Sequence, residues 1–208
     1  MRELVYYVAV SLDGYIAGPD GQFDAFLVEG DHMTGINERF PDTIPTDYAS
    51  ALGIDQSGGG FDTVLMGANT YAVGLPEAPS PYRHLDQYVF THHPMQPVDG
   101  VTFTDRDPVG LVRELKPREG KDIWLCGGGS VATQLAAEID RLVLKRQPLL
   151  FGNGIPLFAP GSYAPGRFER VSSREFETGV TFTEYVRACP AHILRSRSPD
   201  SGERERKE

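Results

Sequence analysis

Three consecutive glycines at 127–129 stand between an apolar run and a helix-like run, and this junction limits the folds open to the chain. Residues 121–126 (KDIWLC) predict a buried strand, and a helix is predicted from about Ser130, its N-cap, to Glu138. Because glycine has no Cβ, the backbone of such a turn can come close to an anion such as a pyrophosphate. A tight turn that needs glycine for structural reasons alone is the other interpretation.

A second junction of the same kind follows an earlier strand. Residues 61–66 (FDTVLM) predict that strand, and a short helix is predicted to begin within Gly67-Ala68-Asn69-Thr70. Asn69 or Thr70 could cap this helix and donate to a phosphate, although simple capping is an equal alternative. The carboxyl ends of parallel strands meet at one edge of a sheet, so we expect both glycine turns to face a ligand there.

The order of elements along the chain predicts an α/β fold. Strands alternate with helices up to residue 145, which is typical of a largely parallel sheet with helices on both faces. The last two strands flank a turn at 177–179 and predict an antiparallel hairpin at the edge. The predicted strands are 3–11, 61–66, 87–91, 101–104, 121–126, 141–145, 168–176 and 178–187.

Composition and charge exclude several classes of function. The net charge of −9 argues against a broad nucleic-acid surface, and no apolar run approaches the length of a membrane span. With only Cys126 and Cys189, a disulfide framework is not expected, and a reducing cytoplasm is the expected location. The adjacent His92 and His93 point in opposite directions on an extended chain, so no metal site is predicted.

The chain divides at about residue 189. The length of residues 1–189 predicts one domain of moderate size, with two very small domains as the alternative. Residues 190–208 are rich in Arg, Ser and Glu and contain few apolar side chains, so a disordered polar tail is predicted.

Four segments, in this order and spacing, carry a family resemblance. They are 9–17 (AVSLDGYIA), 64–71 (VLMGANTY), 123–130 (IWLCGGGS) and 149–158 (LLFGNGIPLF). Together they resemble the dihydrofolate-reductase-like superfamily, and within it the reductase domain of the bifunctional riboflavin-biosynthesis deaminase/reductase. The fourth segment is typical of stand-alone relatives of that domain. The zinc-deaminase signature is absent from the sequence, so the resemblance extends to the reductase chemistry only.

The resemblance implies an eight-stranded, mixed and mostly parallel sheet, and a reduction that depends on NADPH, with NADH as the alternative cofactor. The implied substrate is small and polar: pyrimidine-like, pterin-like or ribosylamino, similar to that of 5-amino-6-(5-phosphoribosylamino)uracil reductase. A cytoplasmic homodimer is implied as well. A nucleotide-binding or scaffold protein of the same fold, without turnover, is the alternative function.

The resemblance also implies roles for individual positions. Ala9 and Ile16 are expected to flank the nicotinamide, and Thr91 and His92 to form the adenosine and 2′-phosphate edge. The phosphates are expected at the first glycine turn, formed by Gly67, Ala68, Asn69 and Thr70. The pyrophosphate is expected at the second, formed by Gly127, Gly128, Gly129, Ser130 and Val131, where the family often has a cis Gly–Gly bond.

Two positions depart from the family pattern. Relatives often have an arginine, which could pair with a 2′-phosphate, at the position of Ala68, so Arg106 or His92 would have to replace it here. Folate reductases have a tyrosine where this chain has Ala132, which disfavours folate reduction.

The catalytic acid is the least determined part of the site. Asp24, Glu38 and Asp47 all fit the position of the acidic residue that follows the first loop. Asp24 is the candidate we name, because a carboxylate between Phe23 and Phe26 near a cofactor could have a perturbed pKa. An ordinary solvated loop acid is the alternative.

Overall fold

The structure is a computed structural model that describes residues 1–188, and its centre is an eight-stranded sheet. In chain order the elements are β1 (Leu4–Val10), β2 (Tyr15–Ala17), α1 (Asp31–Arg39), a 3-10 turn (Pro41–Thr43), α2 (Thr46–Ala51), β3 (Phe61–Gly67), α3 (Ala68–Ala72), β4 (Asp86–Phe90), β5 (Val101–Thr104), α4 (Pro108–Leu115), β6 (Asp122–Gly127), α5 (Gly129–Gln134), β7 (Arg141–Arg146), β8 (Ile155–Pro156), β9 (Phe168–Glu175) and β10 (Thr181–Arg187).

The main sheet has the strand order β5-β4-β3-β6-β1-β7-β10-β9. The six strands from β5 to β7 are parallel to one another, and β10 and β9 add an antiparallel hairpin at the edge. This arrangement confirms the predicted mixed, mostly parallel sheet and its C-terminal hairpin. It also makes β3 and β6 neighbours, although the chain passes through β4, β5 and α4 between them.

Apolar clusters cover both faces of the sheet, because alternate residues of each strand point to opposite sides. On one face Leu111 and Val112 of α4 and Val131 of α5 are buried against the sheet. On the other face, Ile36 of α1 and Phe40 pack in a separate cluster around Trp124. The prediction of helices on both faces is thus confirmed.

A second, two-stranded sheet pairs β2 with β8 in antiparallel orientation. Neither strand is among the eight that the sequence predicted, because at three and two residues they are too short for a periodic pattern to develop. The carboxylate of Asp13 ties the loops next to these strands together by accepting the N–H groups of Phe151 (3.2 Å) and Gly152 (2.7 Å). We call this pair the β2–β8 ribbon.

Three details of the helix ends correct the sequence prediction. The helix after the glycine triplet begins at Gly129, with Gly128 as its N-cap, and ends at Gln134, so Ser130 does not cap it. In α3 the N-cap is Gly67, and neither Asn69 nor Thr70 provides a side-chain cap. In both helices the backbone turn ends in glycine, which takes the position that a polar cap would occupy.

The predicted tail, 190–208, lies outside the described residues. Among residues 1–188, no helix has both the length and the apolar character that a membrane crossing requires.

Candidate functional site

A cleft of about 880 Å³ runs along the carboxyl edge of the parallel strands. The loops that follow β3, β4, β5 and β6 form much of its wall, because parallel strands all end at the same edge of a sheet. Every predicted cofactor residue except Ala9 lines it: Ile16, Gly67, Ala68, Asn69, Thr70, Thr91, His92, Gly127, Gly128, Gly129, Ser130 and Val131.

The two glycine turns meet in the middle of this cleft. A methyl group at Gly67 would lie 3.7 Å from the backbone N of Gly128, and one at Gly128 would lie 3.4 Å from the Thr70 hydroxyl oxygen. The backbone of Gly127 has φ of +150°, a region that favours glycine, and the Gly127–Gly128 peptide bond is cis. The two turns therefore form one continuous wall of backbone and small side chains.

The second turn presents unpaired backbone donors. The N–H of Ala132 donates to the carbonyl of Gly128, which leaves the N–H groups of residues 129–131 without a partner inside the helix. Such groups can donate to a phosphate oxygen. The Gly129 carbonyl is itself held, since it accepts from the Thr133 hydroxyl (2.9 Å) and from the N–H of Ala159 (3.1 Å). These two hydrogen bonds therefore hold the turn, and with it the donors, in position.

The outer end of the cleft, beyond α3, is polar and exposed. His92 and Arg106 line it, and the guanidinium of Arg106 lies 2.5 Å from a carboxylate oxygen of Glu114. Asp107 caps α4 by accepting the N–H of Gly110 at 2.8 Å. This end therefore has both cationic and anionic side chains within reach of a sugar–phosphate group.

The inner end is narrow and mostly apolar. The β2–β8 ribbon contributes Ile16 and Ile155 to its lining, and Tyr82 and Cys126 contribute as well. Burial raises the pKa of the Cys126 thiol to about 12 and that of the Tyr82 phenol well above its usual value, so both are neutral near pH 7. The ring of Tyr82 packs edge-on against Trp124, with centroids 4.9 Å apart.

Lys145 stands beside this inner wall, and sequence reasoning did not single it out. Its Nζ atom lies 4.4 Å above the ring centroid of Tyr7, and burial lowers the pKa of the ammonium to about 8. The alternation of side chains along β7 could have identified it. Val143 is a core residue, and Lys145, two residues later, points to the same side of the strand.

The predicted acids lie elsewhere. Asp24, Glu38 and Asp47 are all exposed and do not line the cleft. Asp47 forms an ion pair with Arg83. Ala9 also lies outside the lining, on β1 directly opposite Lys145. The roles of Ala9 and Asp24 stay predictions. Among residues 1–188, no cluster of His, Cys, Asp or Glu is suited to hold a metal ion.

A mostly parallel sheet with a C-terminal hairpin, and a cleft between two glycine turns at its carboxyl edge, define an α/β protein of the dihydrofolate-reductase-like class. The chain belongs to the RibD C-terminal domain family, whose sequence model matches residues 2–182.

Two curated relatives come from Bacillus subtilis strain 168, and each carries the name "Uncharacterized protein". YwjB is 34% identical over 164 residues, which cover 76% of this chain and 83% of YwjB. YyaP is 26% identical over 198 residues, which cover 88% of this chain and 94% of YyaP.

Solved structures agree with this fold. A "Putative riboflavin biosynthesis protein" from Shewanella sp. PV-4 superimposes with a TM-score of 0.64 at 24% identity, over 91% of this chain and 100% of that one. A Thermotoga maritima diaminohydroxyphosphoribosylaminopyrimidine deaminase/5-amino-6-(5-phosphoribosylamino)uracil reductase does so with a TM-score of 0.59 at 17% identity, over 90% of this chain and 57% of that one. The chain therefore has the reductase-like fold of the riboflavin-pathway proteins.

Proposed function

We propose that this chain is an NAD(P)H-dependent reductase of a small polar substrate that is pyrimidine-like, pterin-like or ribosylamino. The observation that carries the proposal is the shared cleft of the two glycine turns, each at the carboxyl end of a central parallel strand. Membership of the RibD C-terminal domain family supports the reaction class.

The residues present fit a dinucleotide. The volume of about 880 Å³ lies in the upper part of the range of small-molecule and cofactor sites. A side chain at Gly128 would project toward Thr70 and narrow the middle of the cleft, so the missing Cβ keeps room for a phosphate. The free N–H groups of residues 129–131 would bind the pyrophosphate, and His92 and Arg106 would contact the adenosine end.

A bound nicotinamide would supply the hydride, and the protein would supply binding, orientation and exclusion of water. Ile16 and Ile155 of the β2–β8 ribbon would shield the inner end from solvent, and Tyr82 and Cys126 would form the wall behind the substrate. Ala9 is proposed to flank the nicotinamide on the family resemblance alone; it follows Val8 of β1, which lines the cleft.

Fluorescence of the single tryptophan tests this proposal. Trp124 contacts Tyr82, which lines the cleft, so a ligand at the inner end should change its emission. We expect saturable quenching by NADPH or NADH in the micromolar range, followed by loss of nicotinamide absorbance with one member of a pyrimidine, pterin and carbonyl panel. Failure of both cofactors to bind at about 1 mM, the upper end of ordinary Michaelis constants, would contradict the proposal.

The exposed positions of Asp24, Glu38 and Asp47 favour a second candidate function. With these carboxylates outside the cleft, the chain could bind a nucleotide as a scaffold without turnover. Saturable cofactor binding with no consumption across the whole panel would support this alternative over the reductase.

We also propose a homodimer, on the family resemblance alone. Size-exclusion chromatography with light scattering should give about twice the 22.9 kDa of one chain. A mass equal to one chain at micromolar concentration would refute it.

A further inference from the structure

A cluster of titratable side chains that the proposed binding of the cofactor does not use lies along and behind the inner wall of the cleft. This inner cluster consists of Tyr7, Tyr82, Cys126 and Lys145. Tyr82 and Cys126 line the cleft, and Tyr7 and Lys145 lie behind them, with the charge of Lys145 acting on Cys126. The carboxylates that line the cleft, Asp105 and Asp107, both follow β5 at the outer end. The inner end therefore needs another source of a proton if a reduction takes place there.

Register places Lys145 next to Ala9. On β7 it pairs with Ala9 of β1, the residue proposed to flank the nicotinamide, and on its other side with Phe182 of β10. Its side chain is half-buried, with the ammonium over the face of Tyr7. Among residues 1–188, no carboxylate lies within 4 Å of this ammonium to form an ion pair. A half-buried cation without a counterion is costly, and such groups concentrate at functional sites.

The neighbours of Lys145 leave it as the group of the inner cluster that exchanges a proton near neutral pH. Tyr7 from β1, Cys126 from β6 and Tyr82 from the segment before β4 all have pKa values raised by burial, and the value for Cys126 is about 12. Burial lowers the pKa of Lys145 to about 8.

Neither of the two acids that are buried within residues 1–188 forms an ion pair with Lys145. Asp42, whose charge acts on Tyr7, accepts the N–H of Phe61. Glu184, one of the β10 residues inside the sheet, pairs with Arg39 and Arg141. Neither of these acids therefore neutralises the ammonium of Lys145.

We propose that Lys145 is the proton donor of the reduction, and that the substrate carries a C=O or C=N group whose heteroatom reaches its ammonium. This inference rests on the proposed function. The hydride forms a new C–H bond at the substrate carbon, and the π electron pair moves to the oxygen or nitrogen. An N–H bond of Lys145 breaks as the new O–H or N–H bond forms, the nicotinamide is oxidised, and the neutral amine regains a proton from water.

The first experiment measures Lys145 directly and does not depend on turnover. The folded protein is acylated with acetic anhydride over a range of pH values, and the modified fraction of Lys145 is read by peptide mass spectrometry. We expect half-maximal reactivity near pH 8, against near pH 10.5 for the same peptide in denaturant, and protection by a bound ligand. A reactivity profile equal to that of the denatured chain would overturn the proposal.

The second experiment compares three variants. Lys145→Gln removes the proton, Lys145→Arg keeps the charge but holds its proton too tightly to donate it, and Lys121→Gln alters an exposed lysine as the control. We expect the first two to lose at least about 100-fold in kcat while NADPH affinity is retained, and the control to match wild type. Circular dichroism verifies that all three fold.

The pH dependence and the Arg variant separate a proton donor from a merely positive group. Wild-type kcat should fall as the pH rises through about 8, because the neutral amine has no proton to give. If Lys145→Arg retains turnover, the reaction needs only a positive charge at this position, and the role of proton donor is refuted. If Lys145→Gln retains turnover, Lys145 has no part in the mechanism. Absence of cofactor binding in wild type would refute the proposed function itself, and with it this role.

Discussion

The two glycine turns of the cleft are similar in sequence and differ in what holds them in place. At Gly67 the nearest contact that a methyl group would make is a side-chain carbon of Val131 at 3.3 Å, and side chains can move by a few tenths of an ångström. At Gly129 a methyl group would lie 2.2 Å from the carbonyl oxygen of Pro156 in the β2–β8 ribbon. The first turn is thus bordered by adjustable side chains, whereas the second is also a structural joint between the main sheet and the ribbon.

This difference shows that one glycine motif can combine two physical requirements. Within the triplet, Gly128 borders the cleft with only the Thr70 hydroxyl near it, while Gly129 is buried against backbone. Ligand access and packing therefore belong to adjacent residues, and substitutions can separate them.

The largest expected effect is that of Gly129→Ala. Because the added methyl overlaps a backbone carbonyl that cannot turn aside, we expect a loss of about 3 kcal/mol in the free energy of unfolding. Urea denaturation followed by circular dichroism measures it. The matched control is Gly128→Ala, whose methyl would make only an ordinary contact of 3.4 Å and should cost less than about 1 kcal/mol. Equal losses of unfolding free energy in the two variants would show that Gly128 and Gly129 do not differ in their structural role.

The next largest effect is expected on the binding of NADPH by the Gly128→Ala variant. In Gly128→Ala we expect NADPH affinity to fall at least about tenfold, or about 1.4 kcal/mol, because the methyl occupies space beside the proposed pyrophosphate site. Quenching of Trp124 measures the dissociation constant. An unchanged affinity in a folded variant would place the phosphates elsewhere.

A smaller effect is expected at the outer end of the cleft. If Arg106 replaces the arginine that relatives have at position 68, Arg106→Ala should weaken NADPH about fivefold, or about 1 kcal/mol, and leave NADH unchanged. Glu114→Gln frees the guanidinium from its ion pair and should act in the opposite direction on NADPH. Equal losses of affinity for NADPH and NADH would show that Arg106 does not contact the 2′-phosphate.

The smallest effect is expected for Asp24→Asn. Because Asp24 is exposed and outside the lining, we expect turnover to change by less than about twofold. A large loss in this variant, with Lys145→Gln unaffected, would return the role of acid to Asp24.

The main strands were predictable because they are continuous apolar runs bounded by turn residues. The strand predicted at 101–104 has those bounds in the structure. The strand predicted at 61–66 is one residue longer and ends at Gly67. Both glycine turns were predictable for the same local reason. The β2–β8 ribbon was not predictable, since its short strands owe their conformation to pairing between residues about 140 apart in the chain.

The proton-bearing residue illustrates the same limit. A run such as 141–146 (RLVLKR) predicts a strand whatever its partners are. Whether Lys145 faces solvent or the inner wall depends on its register with β1 and β10, because a shift of one residue reverses every side chain.

The sequence by itself determined the alternation of strands and helices, the two glycine turns and the family, because each depends on residues close together in the chain or on motifs in a fixed order. The tertiary structure alone decided that the turns share one wall, that Gly129 packs under the ribbon and that Lys145 stands beside Tyr7. These contacts join residues far apart in the chain, and their geometry follows from strand order and register, which no local pattern specifies.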